Sequence, residues 1–256
     1  MKHTKSILFC NCGAGLIAPQ RAAELSAELR KLEADVVELH DLCAFSVHDA
    51  PKLGNLTAGY EQTTIIACFP RAVKNMLQQG GARLGEFDVL NFRTLNNEAI
   101  ISELKSRFSI PEGESNYLVE KTDLEVPAWY PVIDQSRCIS CGQCARFCLF
   151  GVYRFDKKNL EVVHPLNCKN NCPACGRTCP TQAIIFPRLP ENSVLSGAEP
   201  LEKDKTIAEK QSSLFVMLNE RNKSRQSIFR QGVMQLAEEE RQKALEEVRK
   251  MNQKEE

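Results

Sequence analysis

The sequence predicts an α/β parallel-sheet domain at the N-terminus, a small α+β domain in the middle and a helical extension at the C-terminus. Three observations carry this division. Short apolar runs alternate with amphipathic stretches over the first third of the chain, the pattern of a parallel sheet. Of the 12 cysteines, Cys10, Cys12, Cys43 and Cys68 are spread through that third. The other eight crowd between Cys138 and Cys179, and none follows Pro200. The expected boundaries are residues 1–108 for the α/β domain, 109–130 for a linker, 131–190 for the cysteine-rich domain and 191–256 for a second linker and a charged helix.

Taken in order, "KSILFC" reads as the first strand. "PQRAAELSAELRKLEA" reads as a helix, with Ala22, Leu25, Leu29 and Leu32 recurring at three and four and Pro19 in the first turn. "DVVEL", "TTIIACF" and "FDVLNF" are further strands, and "RAVKNMLQQGG" and "NNEAIISELKSRF" further helices. The stretch Ser109 to Pro131 has the Pro, Gly and acidic content of a linker, with Trp129 and Tyr130 placed to pack between the modules. Val152 to Phe155 and Leu160 to Val163 read as a hairpin, and Ala183 to Pro187 as a closing strand. "PRLPENSVLSGAEP" reads as a second linker.

The chain has 256 residues, 43% of them hydrophobic, enough for packed cores. Its 33 basic and 33 acidic residues leave no global field to attract nucleic acid. The apolar run Ile7 to Phe9 is too short for an export signal, and no run is long enough to span a bilayer. The expectation is therefore a cytoplasmic protein without a transmembrane segment, where clustered cysteines mean metal or redox chemistry rather than disulfides.

The central runs are "CISCGQCARFC" and "CKNNCPACGRTCP". Their spacings, C-x2-C-x2-C-x3-C and C-x3-C-x2-C-x3-C-P, resemble the dicluster motif of bacterial ferredoxins, in which thiolates hold [4Fe–4S] clusters. That resemblance implies a ferredoxin-like dicluster domain. Three closely spaced thiolates take three corners of a cubane, and the fourth comes from the distant run. Cys138, Cys141 and Cys144 would thus share one cluster with Cys179, and Cys168, Cys172 and Cys175 the other with Cys148. Two departures stand out: the extra residue in Lys169-Asn170-Asn171, and Leu149 where the pattern has proline. Zinc is the alternative, although its sites usually use separated C-x2-C pairs. Phe147, Phe150, Tyr153 and Phe155 read as core and shielding, and His164 as a turn residue.

The four N-terminal cysteines fall at or just after strands one to three, so a parallel sheet gathers them at one edge. Core cysteines would scatter, so this favours a metal site. Gly13 to Ala18 also fits G-x-G-x-x-A, with Glu38 twenty residues on for a ribose, but Cys10 and Cys12 occupy the turn a dinucleotide needs. Gly13 and Gly15 would let the backbone approach an inorganic core and offer N–H groups to its sulfurs. "FCNCG", the cysteine after strand two and "IIACFPR" resemble the N-terminal domain of the flavin-bearing subunit of heterodisulfide reductase. The resemblance implies that Cys10, Cys12, Cys43 and Cys68 ligate a third [4Fe–4S] cluster. Nothing here resembles that family's large flavin domain, so its bifurcation chemistry does not carry over. A C-x-C dithiol active in its own right is a further reading.

In the tail, Leu214, Met217 and Leu218, then Val233, Leu236 and Leu245, give a helix an apolar stripe around Gly232. It reads either as a solvated helix or as a docking helix for a partner protein. Arg221, Lys223, Arg225 and Arg230 surround Phe229, but Glu238 to Glu240 offset them. No Ser-His-Asp set, Walker loop or H-E-x-x-H is present. The expectation is single-electron relay through three [4Fe–4S] clusters, as one component of an anaerobic redox complex. The alternatives are a thiol- or nucleotide-dependent reductase centred on the C-x-C-G loop, and an interaction module in which metal only stabilises the fold.

Overall fold

A computed structural model describes residues 3–198 and 239–243. Five parallel strands form the N-terminal sheet: β1 (Lys5–Asn11), β2 (Asp35–His40), β3 (Gln62–Ala67), β4 (Phe87–Asn91) and β5 (Asn116–Lys121). Their order is β4-β3-β1-β2-β5. β1 is central, and Ile7, Leu8 and Phe9 are wholly buried because helices cover both faces. On one face α1 (Pro19–Leu29) packs beside α5 (Asn97–Ser106). On the other, α2 (Leu42–His48) packs with α3 (Ala50–Thr57) and α4 (Pro70–Gly80). The chain reverses direction between β1 and β3, the position at which such sheets open a crevice.

The expected strands and the helices α1, α4 and α5 are present; α2, α3 and β5 are additions to the expected set. Asp41 starts α2 by accepting a hydrogen bond from the Cys43 N–H, and Pro51 suits the first turn of α3. Residues 109–130, expected to be a linker, instead carry β5, which pairs along β2 from Asp35–Asn116 to His40–Lys121. An edge strand needs only one apolar face, and breaker residues flank this one, so its pattern is faint.

Six short elements follow: β6 (Val132–Ile133), α6 (Gln143–Phe147), β7 (Tyr153–Phe155), β8 (Leu160–Val162), α7 (Ala174–Arg177) and β9 (Ile184–Ile185). β6 pairs with β9 and β7 with β8, both antiparallel, while α6 lies against α7. Each half is a strand, a cysteine loop, a short helix and a strand, as expected. Trp129, Ile133, Leu160, Ile184 and Phe186 form its core.

The α/β and cysteine-rich parts share one compact unit, Met1–Lys203. Gln79 on α4 donates to the Pro131 carbonyl and accepts from the Ile133 N–H. Arg93 holds the carbonyls of Pro187 and Leu189. The second expected linker also packs: Leu195 and Ser196 are buried, and Gly197, at φ +88°, passes where a Cβ would strike Ala72 and Ile185. In Asp204–Glu256 only residues 239–243 are described, and they are helical. The expected apolar stripe and basic patch, Leu214 to Leu236 and Leu245, lie outside the described residues. No helix among the described residues is long and apolar enough to cross a membrane.

Candidate metal centres

Cys10 lies near the end of β1 and Cys12 just past it; Cys68 separates β3 from α4. Cys43, expected in a loop, sits in the first turn of α2. All four occupy the edge where parallel strands end, three of them at the β1–β3 crevice. Cys10 and Cys68 are buried and the other two half-buried.

The thiols act on one another. A hydrogen bond with Cys12 raises the Cys10 pKa well above normal, and burial adds to this. The same bond lowers Cys12 to about 7, helped by the N–H groups of Leu16 and Ala14. Burial raises Cys43, reinforced by the charges of Asp41, Cys68 and Cys12. Burial also lifts Cys68 to about 12, with Cys12 adding to it. The four side chains therefore share one electrostatic environment.

Two residues without a place in the expected site hold this edge together. Asp41, buried and at φ +79°, accepts from the N–H groups of Cys43 (3.1 Å) and Ala128 (3.0 Å). The Tyr130 hydroxyl donates to the Cys43 carbonyl at 2.9 Å. An aspartate two residues before a cysteine is a helix-capping signal; nothing local announces Tyr130. The glycines act differently from expectation. Gly15, at φ +72°, spends its N–H on the Cys12 carbonyl, so Ala14 and Leu16 donate toward the Cys12 sulfur instead. A Cβ at Gly13 would meet Asp41 only at ordinary contact distance, so no close approach requires a glycine there. Glu38, the residue a dinucleotide would need, is already engaged by Asn11, Ser26, His40 and Tyr117.

In the central region Cys138 and Cys141 precede α6, Cys144 lies on it and Cys148 ends it. Cys168 closes a 3-10 turn, Cys172 follows, Cys175 lies on α7 and Cys179 comes after it. Burial raises Cys138, as do the charges of Cys179 and Cys141. Burial lifts Cys144 to about 12, then Cys179. Burial likewise lifts Cys168 to about 12, with Cys175, Cys172 and Cys148 adding to it. Cys175 reaches about 11 through burial and Cys148, although Tyr153 opposes the rise. The interactions thus sort mainly into Cys138, Cys141, Cys144 and Cys179, and Cys148, Cys168, Cys172 and Cys175. The charge of Cys175 acting on Cys144 is the link between them.

Local details suit inorganic sulfur and iron. A cavity of about 160 Å³ is lined by all four thiols of the second set together with Val152 and Tyr153. The Tyr153 hydroxyl is buried beside Cys175 and acts on its thiol, which turns a donor toward sulfur. The Ala183 N–H donates to the Cys179 sulfur at 3.2 Å. Ser140 and Gly142, both with positive φ, tighten the first loop. In the second, the extra residue is absorbed by a turn in which the Cys172 N–H meets the Lys169 carbonyl, with Asn171 at φ +60°. Among the described residues no three His, Cys, Asp or Glu side chains converge on a single-ion site. A cubane instead takes its thiolates at separated corners.

A family of 4Fe-4S binding domains matches residues 131–151, the segment from β6 through Cys148. An uncharacterized ferredoxin of Methanocaldococcus jannaschii is 44% identical over 61 residues, which take up 23% of this chain and 42% of that protein. Ferredoxin-3 of Nostoc sp. strain PCC 7120 is 31% identical over 72 residues, 21% of this chain and 73% of that protein. The chain belongs to the ferredoxin family. As a ferredoxin it binds [4Fe–4S] clusters. The chain spans less than half of the Methanocaldococcus relative, and both matched stretches leave most of this ferredoxin outside them.

The surroundings of the ferredoxin cysteines differ from expectation in one respect. Tyr153 and Phe155 pack inward, and His164 sits in a turn. Phe147 and Phe150, expected as core and shielding, line the cavity of the second set of thiols but are 53% and 41% exposed.

Proposed function

We propose that this ferredoxin relays single electrons through three [4Fe–4S] clusters and does so as one component of a larger redox complex. Cys138, Cys141, Cys144 and Cys179 hold one cluster. Cys148, Cys168, Cys172 and Cys175 hold the second. Cys10, Cys12, Cys43 and Cys68 hold the third, in the N-terminal α/β domain, which takes in β5 and resembles the N-terminal domain of the flavin-bearing subunit of heterodisulfide reductase. The dicluster module occupies residues 131–190, and the C-terminal helix docks a partner protein of the complex.

The reading is supported by the way the thiols act on one another: Cys10, Cys12, Cys43 and Cys68 influence each other at the sheet edge, and the eight central thiols do so mainly within the two groups of four named above. Burial raises most of these thiols, so leaving them as uncompensated thiolates is costly, and a positive iron core offsets that cost. When bound, such clusters accept and release one electron each. The protein contributes ligation, N–H groups aimed at sulfur and exclusion of water, which set potential.

The Cys10–Cys12 hydrogen bond and the Cys12 thiol at about 7 favour a second reading, a reactive dithiol at the N-terminal edge. Iron and sulfide analysis of anaerobically purified protein, with EPR after reduction, separates the two. The proposal expects about twelve irons, four per cubane. About eight would remove the N-terminal cluster and leave the dithiol.

A further inference from the structure

Three of the exposed apolar side chains of the cysteine-rich part lie together. Phe147, Leu149 and Phe150 follow one another around Cys148, and Leu149 is 91% exposed. All three line the cavity that holds the second set of thiols. Contiguous exposed apolar side chains at the mouth of a functional cavity mark an interaction site.

The chain segments that form the patch carry mostly one sign of charge. Arg146, Lys169 and Arg177 are exposed beside Phe147, Cys168 and Cys175, and none has an ion-pair partner among the described residues. The acidic groups of this stretch are engaged: Glu161 pairs with Arg154, and Asp156 accepts the N–H groups of Lys158 and Asn159. From Arg137 to Cys179 the sequence carries seven Lys and Arg against two Asp and Glu, although the whole chain is balanced.

We propose that this basic-rimmed apolar patch is the docking surface for an acidic redox protein whose own contact face has an apolar centre ringed by carboxylates. The rim steers the partner by complementary charge, and Phe147, Leu149 and Phe150 exclude water at the contact. Cys148 and its set would hold the cluster, which when bound would supply one electron to the partner's prosthetic group with no bond formed or broken. The proposal rests on the cluster assignment above. A patch of three side chains centred on a redox cavity favours a protein partner over a lipid surface.

Stopped-flow mixing of the reduced holoprotein with flavodoxin, an acidic acceptor, and with a basic c-type cytochrome tests this. The expected result is a flavodoxin rate that falls about tenfold as salt rises from low to physiological strength, while the cytochrome rate does not fall. Arg146→Glu and Arg177→Glu should each lower the flavodoxin rate about tenfold at low salt, with iron content and the EPR signals of the reduced protein unchanged. Leu149→Ser, a change at a fully accessible position, should lower the flavodoxin rate too. A cytochrome rate that is faster and falls with salt, or charge variants that leave flavodoxin unaffected, overturns the proposal. So does co-sedimentation with phosphatidylserine vesicles that the same variants abolish. Absence of EPR signals from the reduced wild type would instead overturn the cluster assignment itself.

Discussion

Arg71 Nε meets Asp134 Oδ2 at 2.6 Å, and both side chains are almost completely buried. The pair joins two cysteine edges. Arg71 lies in the first turn of α4, three residues after Cys68. Asp134 opens the loop that leads to Cys138, and its carbonyl accepts the Cys138 N–H. Arg71 also donates to the Gln182 carbonyl on the far side of the cysteine-rich part. One ion pair thus fixes the module against the sheet edge. Removing one member leaves a buried charge uncompensated. Asp134→Asn is expected to cost about 3–5 kcal/mol by denaturant unfolding, whereas replacing both members with apolar residues of similar size costs much less. Equal losses in the single and double variants would contradict this.

The same carboxyl predicts a pH dependence. Burial acts to raise the Asp134 pKa, but the hydrogen bonds from Ser136 and Arg71 outweigh it and hold the group below its ordinary value. A depressed pKa stabilises the fold above the unfolded value of about 3.9, and that contribution disappears as pH falls through the lower folded value. The melting-temperature gap between wild type and Asp134→Asn should therefore hold steady from neutral pH down to about 5 and close below about 4. Anaerobic calorimetry across this range checks it.

Gly142 is a steric checkpoint for the first cysteine loop. It sits at φ +70°, and a Cβ there would lie 2.2 Å from the Phe155 ring. Gly142→Ala adds strain of about 1–3 kcal/mol to that clash. The expected outcome is a lower melting temperature and loss of about four irons, with partial recovery in Gly142→Ala/Phe155→Ala. Full iron content in the single variant would mean the loop tolerates the displacement.

Two adjacent aromatics serve different centres. Tyr130 donates to the Cys43 carbonyl, and the Trp129 indole N–H reaches the Cys172 carbonyl at 3.4 Å. Trp129 stacks on Phe186 with centroids 4.9 Å apart. Tyr130→Phe should alter the EPR signal of the N-terminal centre and leave the other two unchanged, at a stability cost of about 1 kcal/mol. Trp129→Phe should do the reverse. Identical effects of both variants on all signals would rule out this division.

The alternating strands and helices, the cysteine spacings and the hairpin between the two runs were all legible in the chain. Each depends on residues a few positions apart, and periodicity and tight loops are local. The gathering of Cys10, Cys12, Cys43 and Cys68 was legible as well, because a parallel sheet places every strand end on one edge. What stayed hidden depends on distance along the chain. β5 forms only because β2 offers it a ladder, and it lies in a stretch whose composition reads as linker. Glu38 is consumed by Asn11, Ser26, His40 and Tyr117, most of them distant along the chain. Arg71 finds Asp134 sixty-three positions away. Whether Phe147 packs inward or faces water is decided by what the rest of the fold leaves uncovered. Residue types and their spacing therefore determined which chemistry this protein has. Three-dimensional packing decided how its centres are held together and which face they present, because those contacts join segments with no local signal for one another.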